Sequence, residues 1–353
     1  MKIIILAGGT GSRLWPASKK NNPKQLKPLL GKETLLKSAV KRVKVGFKSS
    51  DIFLSINRHQ LSAVKRDLKS LVPLKNYITE PVKKDTAAAI GLACLRVIKE
   101  DPEAVIATVN SDHHIKNNKE FVRVLKSAEK AVNKYPDHLV LIGLNPSYPE
   151  TGYGYIKIKK EVDQVGKDKI YSVDSFKEKP DLKTSQKYLK SWQYLWNPAY
   201  FVFKAQTMLD LFAKHLPDQH KILMKIKNNP KSLNSEFSKI EPISIDYGIM
   251  EKAGKMLCLP ANFDWVDVGH WRTLQEVLAK TRDNNVVKGR HVGLNSSGNL
   301  IYSYTGKLIA TIGLKDLIVV ETEEAILVCP KDRAQEVKQL VDKLKEEKLD
   351  KYL

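Results

Sequence analysis

The chain has 353 residues, enough for one large domain and a small one, and its 42% hydrophobic content supplies a sizeable core. Its formal net charge of +21 raises nucleic-acid binding, but the lysines are spread over the whole length with no arm, stripe or nucleic-acid motif; a solvated lysine-rich surface that helps draw in polyanionic substrates is the reading that fits. No apolar run approaches the ~20 residues needed to span a bilayer, the N-terminus lacks a cleavable leader pattern, and three dispersed cysteines (Cys94, Cys258, Cys329) give neither a disulfide framework nor metal spacing, so buried thiols in a reducing cytoplasm are expected.

Lys2 to Leu6 reads as a buried strand running straight into Gly8-Gly9-Thr10-Gly11-Ser12-Arg13, with Trp15-Pro16 and then Pro23-Lys24-Gln25 behind it. Glycines let backbone N–H groups approach phosphate oxygens. Arg13 can fork onto such oxygens and Lys24 can add a movable point charge. The assembly suits a nucleoside triphosphate. A Rossmann fingerprint would need a glycine where Leu14 stands, and a Walker A loop would end in Gly-Lys-Ser/Thr; neither fits.

Apolar runs at 51–56, 104–109 and 139–142 alternate with amphipathic segments at 34–45, 61–70, 86–99 and 121–134. This βαβα order predicts a doubly wound, mixed but mostly parallel sheet with helices on both faces. Ligands of such sheets sit at the carboxyl ends of the strands, where the glycine loop and Asn110-Ser111-Asp112 both fall. Glu80-Pro81 opens a loop that, without a binding role, would be a surface turn followed by Asp85 or Thr86 as the N-cap of the next helix. Asp112 follows an apolar strand and suits a hard cation such as Mg²⁺, although alone it reads more readily as a turn or cap residue. His113-His114 does not suggest zinc, because neighbours on a strand point to opposite faces and no cysteine is near. Residues 149–155 read as a hairpin turn, and Glu178-Lys179 as a charge pair on a strand that Pro180 ends. Asp267 lies in Trp265-Val266-Asp267-Val268-Gly269-His270-Trp271. Residues 281–290 form a polar linker, followed by short strands at 300–303, 308–312, 317–320 and 325–328 and a charged helix at 331–349.

The run L-A-G-G-T-G-S-R-L-W-P-A-S-x(4)-P-K-Q resembles the signature of sugar-1-phosphate nucleotidylyltransferases. It is most similar to the mannose-1-phosphate guanylyltransferase branch, where Gln follows Pro-Lys. The likeness reaches Gly313-Leu314-Lys315-Asp316-Leu317 and Val319-Val320-Glu321-Thr322. It implies a Rossmann-like nucleotidyltransferase domain at 1–283 and a short left-handed β-helix module with a terminal helix at 284–353. The chain ends without the isomerase domain of bifunctional relatives, so a monofunctional enzyme of GDP-mannose biosynthesis is expected, located in the cytoplasm.

The resemblance also implies roles. GTP and mannose 1-phosphate would be the partners, giving GDP-mannose and pyrophosphate, with no nucleic acid and no membrane; a homodimer is one assembly open to such a chain. Arg13, Lys24 and Lys179 would be catalytic. Leu6, Gly8, Gly9, Gly11, Arg13, Lys24, Glu80, Asp85 and Asp112 would bind nucleotide. Gly152, Glu178, Lys179 and Asn197 would bind the sugar phosphate, and Asp112 with Asp267 would hold Mg²⁺. Glu80 is nominated to read guanine, whose N1–H and 2-amino group offer two adjacent donors that adenine lacks; backbone groups of Leu6 to Gly9 are the competing reader. Lys84-Asp85 replaces the family's Arg-Asn. Asn197-Pro198-Ala199-Tyr200-Phe201 replaces Asn-Ser-Gly-Met-Phe, which adds bulk on the sugar side. The alternatives are the same reaction on another sugar 1-phosphate and a non-catalytic nucleotide-sugar-binding homologue.

Overall fold

The alternating apolar runs become the strands of a computed structural model that describes residues 1–9, 11–19, 22–281 and 283–353. Thr10 of the glycine run, Lys20 and Asn21 ahead of Pro23, and Arg282 of the expected linker lie outside the described residues. The chain divides into two compact units. The first comprises Met1–Gly8, Ala39–Ser111 and Ile115–Trp265; the second comprises Gly9–Ser38, Asp112–His114 and Val266–Leu353.

Through the sheet regions the strands are β1 (Lys2–Leu6), β2 (Ile52–Asn57), β3 (Tyr77–Glu80), β4 (Val105–Asn110), β5 (His113–Ile115), β6 (Leu139–Leu144), β7 (Gly154–Val165), β8 (Asp168–Lys177), β9 (Tyr194–Asn197), β10 (Phe201–Lys204), β11 (Met256–Ala261) and β12 (Trp265–Asp267). In the first unit ten of them make one sheet in the order β11-β8-β7-β9-β6-β10-β4-β1-β2-β3. Strands β4, β1, β2 and β3 are parallel neighbours, and β6 runs parallel to β11. Between the two parallel sets β10 is inserted antiparallel to both β4 and β6, and the long hairpin β7–β8 is antiparallel as well. The sheet is therefore mixed, as the alternating pattern predicts, with its antiparallel part contributed by residues after 150. The helices α1 (Leu35–Lys44), α2 (Leu61–Leu68), α3 (Asp85–Ile98) and α4 (Asn118–Lys134) fall on the four amphipathic segments. Ile4, Phe53, Ile106, Leu141 and Phe203 pack with the alanine-rich α3 in one apolar core.

The start of α3 departs from expectation. The helix begins at Asp85 itself, with Lys84 at the cap position and no side-chain cap. Asp85 instead accepts from the N–H of its neighbour Thr86 at 2.7 Å, Thr86 Oγ1 accepts from Ile245 N–H, and Ala87 N–H donates to Ile243 O. Tertiary bonds take the place of a local cap.

In the second unit, strands β13 (Val286–Lys288), β14 (Arg290–Leu294), β15 (Leu300–Ser303), β16 (Leu308–Ile312) and β17 (Leu317–Glu321) stack as coils, and β18 (Ile326–Pro330) closes the stack by pairing antiparallel with β17. β15 lies parallel on both β13 and β17, and β14 runs parallel to β16. The expected linker at 281–290 thus already carries β13 and the first residue of β14. Its asparagines look like loop residues but are rungs of the coil. Asn285 Oδ1 accepts from the Asn299 backbone and side chain, and the fully buried Asn299 passes the pattern on, donating to Leu314 O and accepting from Leu317 N–H at 2.8 Å each. The closing helix also differs: residues Lys331–Glu336 form a 3₁₀ turn before an α-helix at Val337–Glu346.

The same unit packs the segment behind the glycine loop into the core of this module. Leu14, Trp15, Leu29, Trp271, Leu300, Tyr302 and Ile318 share one cluster. Trp271 Nε1 donates to Trp15 O (2.9 Å), Trp15 Nε1 to Tyr352 O (2.8 Å) and Tyr302 OH to Leu29 O (2.9 Å). Among the described residues no helix is long and apolar enough to cross a membrane.

Asn299→Ala should leave the Leu317 N–H and one acceptor site on Leu314 O without partners and cost about 1–3 kcal/mol. Urea unfolding checks this, and a loss below about 0.5 kcal/mol, the range of an ordinary surface change, would show that the asparagine rungs carry no weight.

Candidate active site

In the second unit the glycine loop turns sharply. Gly11 adopts φ +69°, and a Cβ there would stand 2.7 Å from Lys24 Cγ and 2.8 Å from Ser18 Oγ. Only glycine lets this backbone lie against the lysine stem. Arg13 follows in a short 3₁₀ turn, Ser12–Leu14, and Lys24 opens a second, Lys24–Leu26. Gln25 Nε2 ties the two by donating to Gly9 O at 3.1 Å.

Lys24 is buried, and its ammonium meets Asp112 Oδ2 at 2.6 Å and Val268 O at 3.3 Å. Burial works against its charge, but Asp112 and Asp267 outweigh burial and hold Lys24 above the usual lysine range; Arg13 acts weakly in the other sense. Burial likewise disfavours the Asp112 carboxylate, yet Lys24 and His113 keep it below the usual range. Asp267 Oδ1 is buried and meets no hydrogen-bond donor among the described residues. A buried carboxylate oxygen without a donor is costly unless a cation completes it. Two carboxylates with an open oxygen fit a hard divalent cation that takes its remaining ligands from phosphates and water. His270 was not singled out in the sequence. Burial, then Arg13, Arg272 and Lys24, push its imidazole down to about 4. It stays neutral and caps the helix Trp271–Leu278 by accepting from Thr273 N–H.

In the first unit, Leu6 and Glu80 both stand at the carboxyl ends of their strands. Glu80 is buried and accepts from Ser55 Oγ at 3.0 Å, with its carboxylate facing Gly8. Burial pushes its carboxyl up to about 7; the Ser55 bond and Lys83 oppose this, and Asp85 adds to it. Asp85 itself is a φ +66° residue beside this group.

The motifs that the resemblance assigns to the sugar phosphate also lie in this unit. Glu178 and Lys179 follow the end of β8, and their side chains pair with each other. Lys179 N–H donates to Tyr153 O at 3.2 Å. The backbone comes close at Gly154, where a Cβ would collide with Glu178 Oε2, and Gly152 gives its N–H to Glu150 Oε1 at 2.7 Å within the hairpin turn. Asn197 is buried at the end of β9 and is bonded on both sides, accepting from Ala199 N–H (2.9 Å) and donating to Asp246 Oδ1 (3.0 Å). Ala199, standing where the family has glycine, keeps a glycine-type φ of +56°. The turn is pinned by Thr108 Oγ1 on Ala199 O and by Asn110 Nδ2 on Pro198 O. Asp246 was missed by sequence reasoning. Burial and Glu178 push its carboxyl up to about 7, against Lys179 and Asn197.

Residues 2–284 match the Nucleotidyl transferase family, and residues 289–344 match the MannoseP isomerase/GMP-like beta-helix domain. The chain is 35% identical to a mannose-1-phosphate guanylyltransferase of Salmonella montevideo, over 97% of this chain and 73% of that protein. It is 34% identical to the same-named protein of Klebsiella pneumoniae, over 99% of this chain and 75% of that one. The chain belongs to the nucleotidyl transferase family, in its mannose-1-phosphate guanylyltransferase branch. Among solved structures, this family member is similar to a mannose-1-phosphate geranyltransferase from Thermus thermophilus, with TM-score 0.87, 33% identity, and 98% of this chain and 99% of that chain covered. Nucleotidyltransferases of this family generally use a divalent metal.

Glu80 gives this site a pH signature. Its folded-state pKa near 7 lies above the ordinary 4.5, so the stability it contributes is complete below about pH 4.5 and lost as pH rises through 7. Glu80→Gln removes that loss. The stability of the variant relative to the parent should rise by roughly 1–3 kcal/mol between pH 4.5 and pH 8. A flat difference in urea unfolding across that window would mean that Glu80 ionises freely.

Proposed function

We propose that this chain transfers the GMP unit of GTP to α-D-mannose 1-phosphate, releasing pyrophosphate, with Mg²⁺ as the metal and the cytoplasm as its location. An oxygen of the sugar phosphate attacks the α-phosphorus, and the bond from that phosphorus to the β-phosphate oxygen breaks. The nucleophile is already ionised at neutral pH, so no general base is required. The obstacle is the mutual repulsion of two polyanions, and catalysis rests on alignment and charge neutralisation.

The observation that carries this reading is buried Lys24 set against the partly buried Asp112 and Asp267, one of whose carboxylate oxygens has no donor among the described residues. Asp112 and Asp267 would hold Mg²⁺, which when bound supplies positive charge to the phosphates. Lys24 faces the α-phosphate, Arg13 the departing β- and γ-phosphates, and Lys179 the attacking phosphate. Backbone groups of Leu6, Gly8, Gly9 and Gly11 line the nucleotide, with Asp85 close to the base-reading Glu80. Guanine's two adjacent donors match the Glu80 carboxylate and would bring its raised pKa down on binding. Gly152, Glu178 and Asn197 take the sugar hydroxyls. We assign the chemistry to residues 1–283. Residues 284–353 act as a brace, because Leu300, Tyr302 and Ile318 share a core with Leu14 and Trp15 behind the glycine loop.

GTP and mannose 1-phosphate should give GDP-mannose and pyrophosphate in equal amounts, and chelation should stop turnover reversibly. Asp267→Asn should lower kcat at least about a hundredfold, roughly 2.7 kcal/mol. Full activity in excess EDTA, or in Asp267→Asn, would remove the metal from this account.

A further inference from the structure

The residues assigned to the sugar phosphate are held from behind by a single irregular turn. Asp246 Oδ1 accepts from Asn197 Nδ2 at 3.0 Å, and Glu251 Oε1 accepts from the backbone N–H of Glu178 at 3.0 Å. These two carboxylates bracket the π-turn Asp246–Met250, which is closed by Glu251 N–H on Asp246 O at 2.9 Å. In a regular α-helix, residues five apart point about 140° away from each other. The extra residue of a π-turn rotates them back toward one side. The irregular backbone is what allows both carboxylates to reach sugar-side residues. Upstream, Ile245 N–H donates to Thr86 Oγ1 (2.8 Å) and Ile243 O accepts from Ala87 N–H (3.2 Å), which fastens the turn to the start of α3.

The geometry points to Asp246 and Glu251 as positioning residues of the sugar-phosphate site. Asp246 aims the Asn197 side chain, and Glu251 fixes the backbone from which Glu178 and Lys179 project. This inference rests on the function proposed above. Neither residue belongs to a motif that the sequence advertises. Their signal is the five-residue spacing in Ile245-Asp246-Tyr247-Gly248-Ile249-Met250-Glu251. Asp246 sits with one oxygen on Asn197 while Glu178 and Lys179 act on it electrostatically. A change at this position is therefore transmitted to all three sugar-side residues.

The test is steady-state kinetics of Asp246→Ala, Asp246→Asn, Glu251→Ala, Glu251→Gln and the double variant Asp246→Ala/Asn197→Ala, with melting temperatures alongside. Each alanine variant should raise KM for the sugar phosphate at least about tenfold while KM for GTP stays within about twofold. The amide variants keep a side-chain oxygen acceptor and should return to within about threefold of the parent. Asp246→Ala should add less than about twofold to Asn197→Ala, since one acts through the other. If an alanine variant does not fold, Asp246→Glu or Glu251→Asp, which displace the carboxylate by one methylene, takes its place with the same split expected. Parallel rises in both KM values, amide variants no better than alanine, or additive effects in the double variant would overturn the inference. A parent enzyme that ignores mannose 1-phosphate but uses another sugar 1-phosphate would overturn the function reading alone, and the split is then read on that substrate. A parent active on no sugar 1-phosphate would overturn both.

Discussion

A buried ammonium is stable in a protein only where negative charge faces it, and Lys24 has Asp112 at 2.6 Å and Asp267 acting from further off. The dependence runs both ways. Asp112 keeps its charge because of Lys24, and Asp267 retains an oxygen that no donor among the described residues reaches. Two carboxylates acting on one lysine make surroundings that suit a further cation. Arg13 adds a cation whose influence reaches both Lys24 and His270. The neutrality of His270 follows from burial first and from these cations second, and its neutral ring is what lets it cap the helix Trp271–Leu278 directly after the Asp267 motif. The glycine at position 11 is a consequence of the same packing, since any side chain would strike the stem of Lys24.

The C-terminal module answers a mechanical requirement. A glycine-rich loop has little core of its own. Here Leu14 and Trp15 are buried against Trp271, Leu300 and Tyr302, with indole and phenol hydrogen bonds to Trp15 O and Leu29 O. A short β-coil stack with asparagine rungs is a stiff support for such a loop, because each rung satisfies backbone groups of the next coil.

Much of this was legible in the sequence. The parallel strands β1, β2, β4 and β6 announce themselves because buried strands are nearly continuous apolar runs, and the four early helices because their apolar stripes recur at helical spacing. The glycine loop, Lys24, Asp112 and Asp267 were readable as motifs, and the second unit brings Lys24 and the two aspartates together. What could not be read depends on partners distant in the chain. Asn285 and Asn299 have the composition of a linker, and only the coil above and below turns them into rungs. The start of α3 lacks a local cap because Ile243 and Ile245 supply the bonds. Ser55 reads as a strand residue until its hydroxyl is found on Glu80. Asp246 is hidden because a π-turn has no apolar period of its own. Ala199 reads as a lost glycine, yet its φ of +56° shows that the turn has kept its glycine-type conformation.

Joining a guanine nucleotide to a mannose phosphate is the activity proposed for this chain, with charge neutralisation as its means. The most direct measurement is pyrophosphate release by the purified full chain with Mg²⁺, for ATP, CTP, GTP and UTP, each against mannose, glucose, N-acetylglucosamine and heptose 1-phosphates. The kcat/KM for GTP with mannose 1-phosphate should exceed every other combination by at least about tenfold, a difference of about 1.4 kcal/mol in transition-state stabilisation. A preference for another nucleotide or another sugar phosphate, or no release from any pair, would contradict it.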